Sequence, residues 1–189
     1  MPPKVRISKD EIIKTAIDLV RINGEEAINA RAIAHALGCS TQPIFSNFDS
    51  MEQLQEEIIL GSYQIYLNLI SNELETNQYP QYKAFGMAYI RFAQEEKQLF
   101  KLLFMRDRSG EDRSPSPDFN QSVELIMEVN DVSFEVASLI HLEMWSCVHG
   151  LATLIVTSFL PLEWKLISDI ISDVYNGVVL RHKSKEKNI

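Results

Sequence analysis

The chain has 189 residues, 46% apolar and 23% charged, with a net charge of −8 and two cysteines, Cys39 and Cys147. That profile suits one or two ordinary globular domains and excludes disordered and disulfide-scaffolded classes. The opening MPPKVRISKDE lacks the apolar core of a secretion signal, and the richest apolar stretch, 151–162, is broken by Thr153, Thr157, Ser158 and Pro161. It is shorter than the roughly 20 residues that cross a bilayer, so a cytoplasmic protein with reduced thiols and no membrane contact is expected.

In chain order, Ile12, Ile13, Ala16, Ile17, Leu19 and Val20 follow helical spacing. Ser8 suits an N-cap and Gly24 a helix end, which predicts a first helix over 9–23. NARAIAHALG predicts a second: Asn29 caps it, its alanines favour it, Ile33 and Leu37 share a face, and Gly38 ends it. Cys39 then lies in a short turn, and Ser40 is the expected cap of a third helix carrying Ile44, Phe45 and Phe48. Pro43 is tolerated there because a first turn has no intrahelical N–H bond to lose.

A long fourth helix is predicted from Met51 to about Thr76, reset by Pro80, followed by helices over 81–95 and 96–105. RDRSGEDRSPSPD, 106–118, is polar and rich in turn formers, hence a loop. A helix over 119–129 ends at Asn130 and Asp131. Ser133 caps a long apolar helix reaching about Leu160, and Pro161 separates it from a final helix holding Trp164, Ile167, Ile170, Ile171, Val174, Tyr175, Val178 and Val179. No segment alternates as a strand would, so the expected fold is all-α, with nine helices. The expected division is a three-helix helix-turn-helix domain over 1–50 and a helical bundle over 51–189 for effector binding and dimerisation.

Charge is unevenly placed. Residues 1–50 carry Lys4, Arg6, Lys9, Lys14, Arg21 and Arg31 against Asp10, Glu11, Asp18, Glu25, Glu26 and Asp49, so the whole acidic excess lies beyond them. A neutral head with a basic leader on an acidic body is compatible with DNA contact through one end only.

The segment 29–48 reads as helix, glycine turn, helix, the geometry that projects a second helix into a major groove. Ile44 and Phe48 turn inward, which leaves Thr41, Gln42 and Ser46 outward. Gln bonds adenine bidentately, and Thr or the Pro43 ring meets a thymine methyl. The same arrangement recurs in all-α proteins that touch no DNA.

Residues 9–54, with Ile13, Ala16, Leu19, Gly24, Ala27, Ile33, Ala34, Leu37, Gly38, Ser40, Phe45, Phe48 and Leu54 in order, resemble the N-terminal domain of the TetR family of bacterial regulators. Trp145, His149 and Gly150 in WSCVHG resemble the W-x-x-x-H-G signature of one subgroup of that family's effector domains. The resemblance implies a homodimer formed through the last two helices, a double-stranded, near-palindromic operator, and a repressor released by a small effector.

The DNA-binding set expected on this basis is Lys4, Arg6, Asn29, Arg31, Ser40, Thr41, Gln42, Pro43, Phe45, Ser46 and Asn47. The expected effector-binding set is Met87, Phe92, Phe104, Trp145 and His149. At helical spacing any one of these apolar residues is more often plain core, while collectively a cavity between bundled helices is the expectation.

The chain departs from the family pattern where Phe45 and Asn47 stand for the usual Tyr and His, and Met51 for the usual Lys. Phe45 lacks a hydroxyl and Met51 a charge, so two phosphate contacts are missing, while Asn47 still has a donor. Each lost cationic contact flattens the log–log salt slope by about 0.9. Weaker operator binding is therefore expected, offset by Lys4, Arg6 and Arg31. The same departures suit an alternative, a helical protein-interaction module with degraded DNA binding.

Two further chemistries are weighed against this. His141 and His149 lie eight residues apart on one helix, about 12 Å of rise, too far to share an ion even with Glu143 and Cys147 between them. Cys147 and His149, two apart on a helix, point away from each other and make a poor nucleophile–base pair. No metal, cofactor or enzymatic activity is expected.

Overall fold

In a computed structural model describing residues 7–110 and 117–186, Ser8 opens the first helix, α1 (Lys9–Asn23). Its hydroxyl oxygen accepts the Glu11 N–H at 3.2 Å, and Glu11 Oε2 accepts the Ser8 N–H at 2.8 Å. Two otherwise orphaned donors are thereby satisfied reciprocally. The Glu11 carboxyl is held below its usual range by the Ser8 N–H and hydroxyl, both of which donate to it. At the far end the Gly24 N–H closes on Val20 O at 2.8 Å, and a single 3-10 turn, Glu25–Ala27, leads to the next helix.

Asn29 caps α2 (Ala30–Ala36) by accepting the Ala32 N–H at 2.9 Å. Gly38, at φ +64, then lets the Cys39 N–H reach back to Ala34 O at 3.0 Å, a stop that needs a left-handed residue. The third helix, α3 (Gln42–Asn47), begins later than its expected cap implies. Thr41, not Ser40, is its cap residue, with a near-helical backbone and no side-chain bond to the helix. The Thr41 carbonyl already accepts the N–H groups of Ile44 and Phe45, which leaves Ser40 outside in the turn.

The remaining helices are α4 (Met51–Glu75), α5 (Gln81–Glu95), α6 (Lys97–Phe104), α7 (Pro117–Asn130), α8 (Phe134–Val156) and α9 (Trp164–Glu186). The fold is all-α, with nine α-helices and no strand among the described residues. Two boundaries differ from expectation. Helix α7 starts at Pro117, a residue suited to a first turn. Helix α8 stops at Val156, because Ser158 turns to φ +55 and the Phe159 N–H folds back to Leu154 O at 3.0 Å.

The chain forms two compact units, Met1–Asn68 with Glu96–Arg106 and Leu69–Glu95 with Asp107–Ile189, so the division falls within α4. In the first unit α1 is the hub, packed by α2, α3 and α6. Ile12, Val20, Ile33, Ile44, Leu54, Ile58, Leu99 and Phe100 are fully buried in its core. Burying one such side chain contributes about 1.5–3 kcal/mol, so Ile12→Ala alone would remove much of a small unit's stability. Arg21 on α1 grips Glu96, with Nε to Oε2 at 2.9 Å and Nη2 to Oε1 at 2.8 Å.

In the second unit α8 is the hub, packed by α5, α7 and α9. By length and composition it is the one helix among the described residues long and apolar enough to cross a membrane; here its buried positions, Ala137, Ile140, Met144, Val148, Ala152 and Val156, belong to the unit's core. Helix α5 contributes the fully buried Met87, Ile90 and Phe92. Asn130, buried at the end of α7, donates to Tyr175 Oη at 2.7 Å and to Ile126 O at 3.0 Å.

Candidate nucleic-acid interface and effector-domain core

Helices α2 and α3 place their apolar residues inward. Ile33, Ala34, Ile44 and Phe48 are buried, and this orients the opposite edge of α3 to solvent. Gln42, Phe45 and Ser46 are exposed on that edge, while Thr41, Pro43 and Asn47 are half-buried. Phe45 is 55% exposed, a high value for a phenyl ring.

The polar tips on α3 are not equivalent. The Ser46 hydroxyl donates to Pro43 O at 3.0 Å, and Asn47 Nδ2 donates to the same carbonyl at 2.7 Å and to Ile7 O at 3.5 Å. The Asn47 amide therefore spends its hydrogens on the backbone, tying the end of α3 to the entrance of α1. Gln42 makes no bond to the protein among the described residues, so its amide keeps both a donor and an acceptor for a base edge.

Asn29 is occupied as a cap, Ser40 is exposed in the turn, and Arg31 is exposed on α2 without an ion pair among the described residues. Lys4 and Arg6 lie outside the described residues. Lys9 pairs with Glu57 and sits 5.4 Å from the Phe48 ring centroid, so this basic residue of the head is engaged at home.

The five expected effector residues divide between the units. Phe104 belongs to the first, its ring edge-on to Tyr66 at 5.4 Å and tilted against Phe100 at 5.2 Å. Met87, Phe92, Trp145 and His149 belong to the second. Met87 and Phe92 are fully buried, whereas Trp145, 47% exposed, stacks flat on His149 at 5.2 Å and 14°.

His149 also shares a 2.8 Å hydrogen bond with the Tyr89 hydroxyl across the α5–α8 seam. The pair repeats along the same seam, where Tyr82 Oη lies 3.0 Å from His141 Nδ1. Between the two pairs Gly86 lets α5 approach closely: a Cβ there would stand 3.3 Å from Val148 Cγ2. Burial pushes both histidines down and both tyrosines up, so all four rings are neutral near pH 7.

The tyrosines are functional candidates that sequence reasoning passed over. A signal was present, since Tyr82 and Tyr89 are seven apart and His141 and His149 eight apart, two matched helical repeats. No group of three His, Cys, Asp or Glu side chains disposed to hold a metal occurs among the described residues. Burial raises the Cys147 thiol pKa, which works against a nucleophilic thiolate.

Residues 82–169, from the first Tyr–His pair into the start of α9, match the family model described as Tetracyclin repressor-like, C-terminal domain. No curated protein matches the chain.

Proposed function

We propose that this protein is a TetR-family transcriptional regulator that binds double-stranded, near-palindromic operator DNA as a homodimer and acts as a repressor released by a small-molecule effector. The observation that carries the reading is the coincidence of two features in one chain. A tetracyclin repressor-like C-terminal domain follows a helix-turn-helix whose α3 edge, Gln42, Phe45 and Ser46, is open to solvent.

In this reading Gln42 is the principal base reader, Phe45 supplies apolar contact to a thymine methyl or a sugar, and Arg31, Lys4 and Arg6 contact phosphates, with Asn29, Ser40, Thr41, Pro43, Ser46 and Asn47 completing the DNA-facing set. Dimerisation through α8 and α9 is supported by Leu139, Leu142, Leu166 and Leu180, large apolar side chains exposed on those helices. The effector site draws on Met87, Phe92, Trp145 and His149 of the second unit, without Phe104, which belongs to the first, and the W-x-x-x-H-G subgroup assignment is supported by the Trp145–His149 stack. Cytoplasmic location and the absence of catalysis go with the same reading.

The alternative, an interaction module with degraded DNA binding, draws on Phe45, Met51 and the internal engagement of Asn47. Selection of genomic fragments by purified protein, followed by gel shift on the recovered sequences, separates the two. A regulator gives a discrete complex that Gln42→Ala weakens or broadens in sequence; the module recovers no enriched sequence and shifts none.

A further inference from the structure

We propose that Lys83, Ser168 and Ser172 form a seat for a small aromatic carboxylate on the second unit, a site that does not depend on α3 reading DNA. Lys83 leaves α5 towards α9, and its ammonium donates to Ser168 Oγ and Ser172 Oγ, each at 2.7 Å. It also sits 5.1 Å from the Tyr79 ring centroid. The side chain is half-buried, yet no Asp or Glu oxygen lies within ion-pair distance among the described residues.

This is unusual company for an ammonium in a chain with a net charge of −8. Asp169, next to Ser168 in sequence, is paired with Lys165 at 2.7 Å. A partly desolvated positive charge held only by hydroxyls gains from an anion beside it.

The donors point to the class of anion. Ser172 spends its hydroxyl hydrogen on Ser168 O at 3.0 Å, so its oxygen is free to accept from Lys83. Among the described residues the Ser168 hydroxyl hydrogen and the third ammonium hydrogen of Lys83 have no hydrogen-bond acceptor. One positive charge and two adjacent donors match the single charge and two oxygens of a carboxylate. A phosphate dianion would bring a second charge with no cation for it, because Arg91 is held by Glu73 and Glu95.

The surroundings add an aromatic wall. The Tyr79 ring lies beside the ammonium, and its hydroxyl accepts from Trp164 Nε1 at 3.2 Å, while Arg91 covers a face of the Trp164 ring at 4.5 Å. A ring attached to the carboxylate would lie along that wall.

The test is calorimetric titration of the full chain, without DNA, with benzoate, benzamide and inorganic phosphate. Benzoate is expected to bind one per chain, with benzamide and phosphate weaker by at least about tenfold. Lys83→Met, which keeps the stem, should weaken benzoate by about tenfold or more, and Ser168→Ala by several-fold. Far-ultraviolet circular dichroism checks that each variant is folded, and Ser168→Ala serves alone if Lys83→Met is not. Equal binding of benzoate and benzamide, phosphate matching benzoate, or benzoate affinity unchanged in both variants would overturn the assignment.

Discussion

Tyr89 on α5 and His149 on α8, 60 residues apart in the chain, are joined by a hydrogen bond of 2.8 Å. The bond lies at a seam that also carries Tyr82 with His141, so two polar contacts tie α5 to α8. Removing the Tyr89 hydroxyl takes away one hydrogen-bond partner of the half-buried His149. Tyr89→Phe should therefore destabilise the protein by about 0.5–1.5 kcal/mol in urea unfolding. A midpoint equal to wild type would show that the bond contributes nothing to stability.

The same histidines set a pH dependence. Burial lowers the pKa of both His141 and His149 in the folded state. As pH falls below about 6.5 the unfolded imidazoles take up protons first, so the unfolded state binds more protons and stability declines. The decline levels off once pH passes below the lowered folded values. Unfolding measured between pH 7 and pH 5 should show this loss, and His141→Gln with His149→Gln should flatten it. The lowered carboxyls of Glu11 and Glu143 weaken the protein only further towards acid, where they become protonated.

Much of the fold is legible in the residues because its stops are local. Ser8 with Glu11, Asn29, Gly38 and Ser133 each act within four positions of themselves, and α1 has the expected ends. The errors are local too. Ser40 and Thr41 are equally good caps by type, and only the Thr41 backbone decides between them. The stop of α8 depends on Ser158 adopting positive φ, which composition does not announce. The site divides differently. Periodicity turns Gln42 and Ser46 outward, but the partners of Asn47 and His149 are tertiary: Ile7 lies 40 residues from Asn47, and Tyr89 lies 60 from His149.

Gly61 on α4 makes a testable close contact inside the first unit. A Cβ there would stand 2.8 Å from Ile17 Cδ1 and 3.4 Å from Ile13 Cγ2. In an open helix Gly→Ala gains about 0.8–1 kcal/mol. Here the clash should cancel that gain, so Gly61→Ala alone leaves stability unchanged or reduced. Ile17→Val removes the offending methyl, and Gly61→Ala made in that background should recover the helical gain. If Gly61→Ala stabilises wild type by the full amount, Ile17 is not the obstacle.

Arg21 and Glu96 offer a cleaner measure of what holds α6 to α1. The guanidinium meets both carboxylate oxygens, at 2.9 and 2.8 Å, while its remaining nitrogen bonds Asp18 at 2.8 Å. Hydrogen bonding to Glu96 raises the Arg21 pKa, as expected for a pair that favours the charged form. The side chains are 38% and 18% exposed, so solvent screens the attraction and the two-point geometry contributes most of what remains. A double-mutant cycle with Arg21→Met and Glu96→Gln should give a coupling of about 0.5–1 kcal/mol at low salt. Raising salt to about 1 M, where the screening length is near 3 Å, should shrink the coupling without abolishing it. Coupling that vanishes completely would mean the fork is only a surface pairing, and that α6 is held to α1 by Leu99, Phe100 and their apolar neighbours alone.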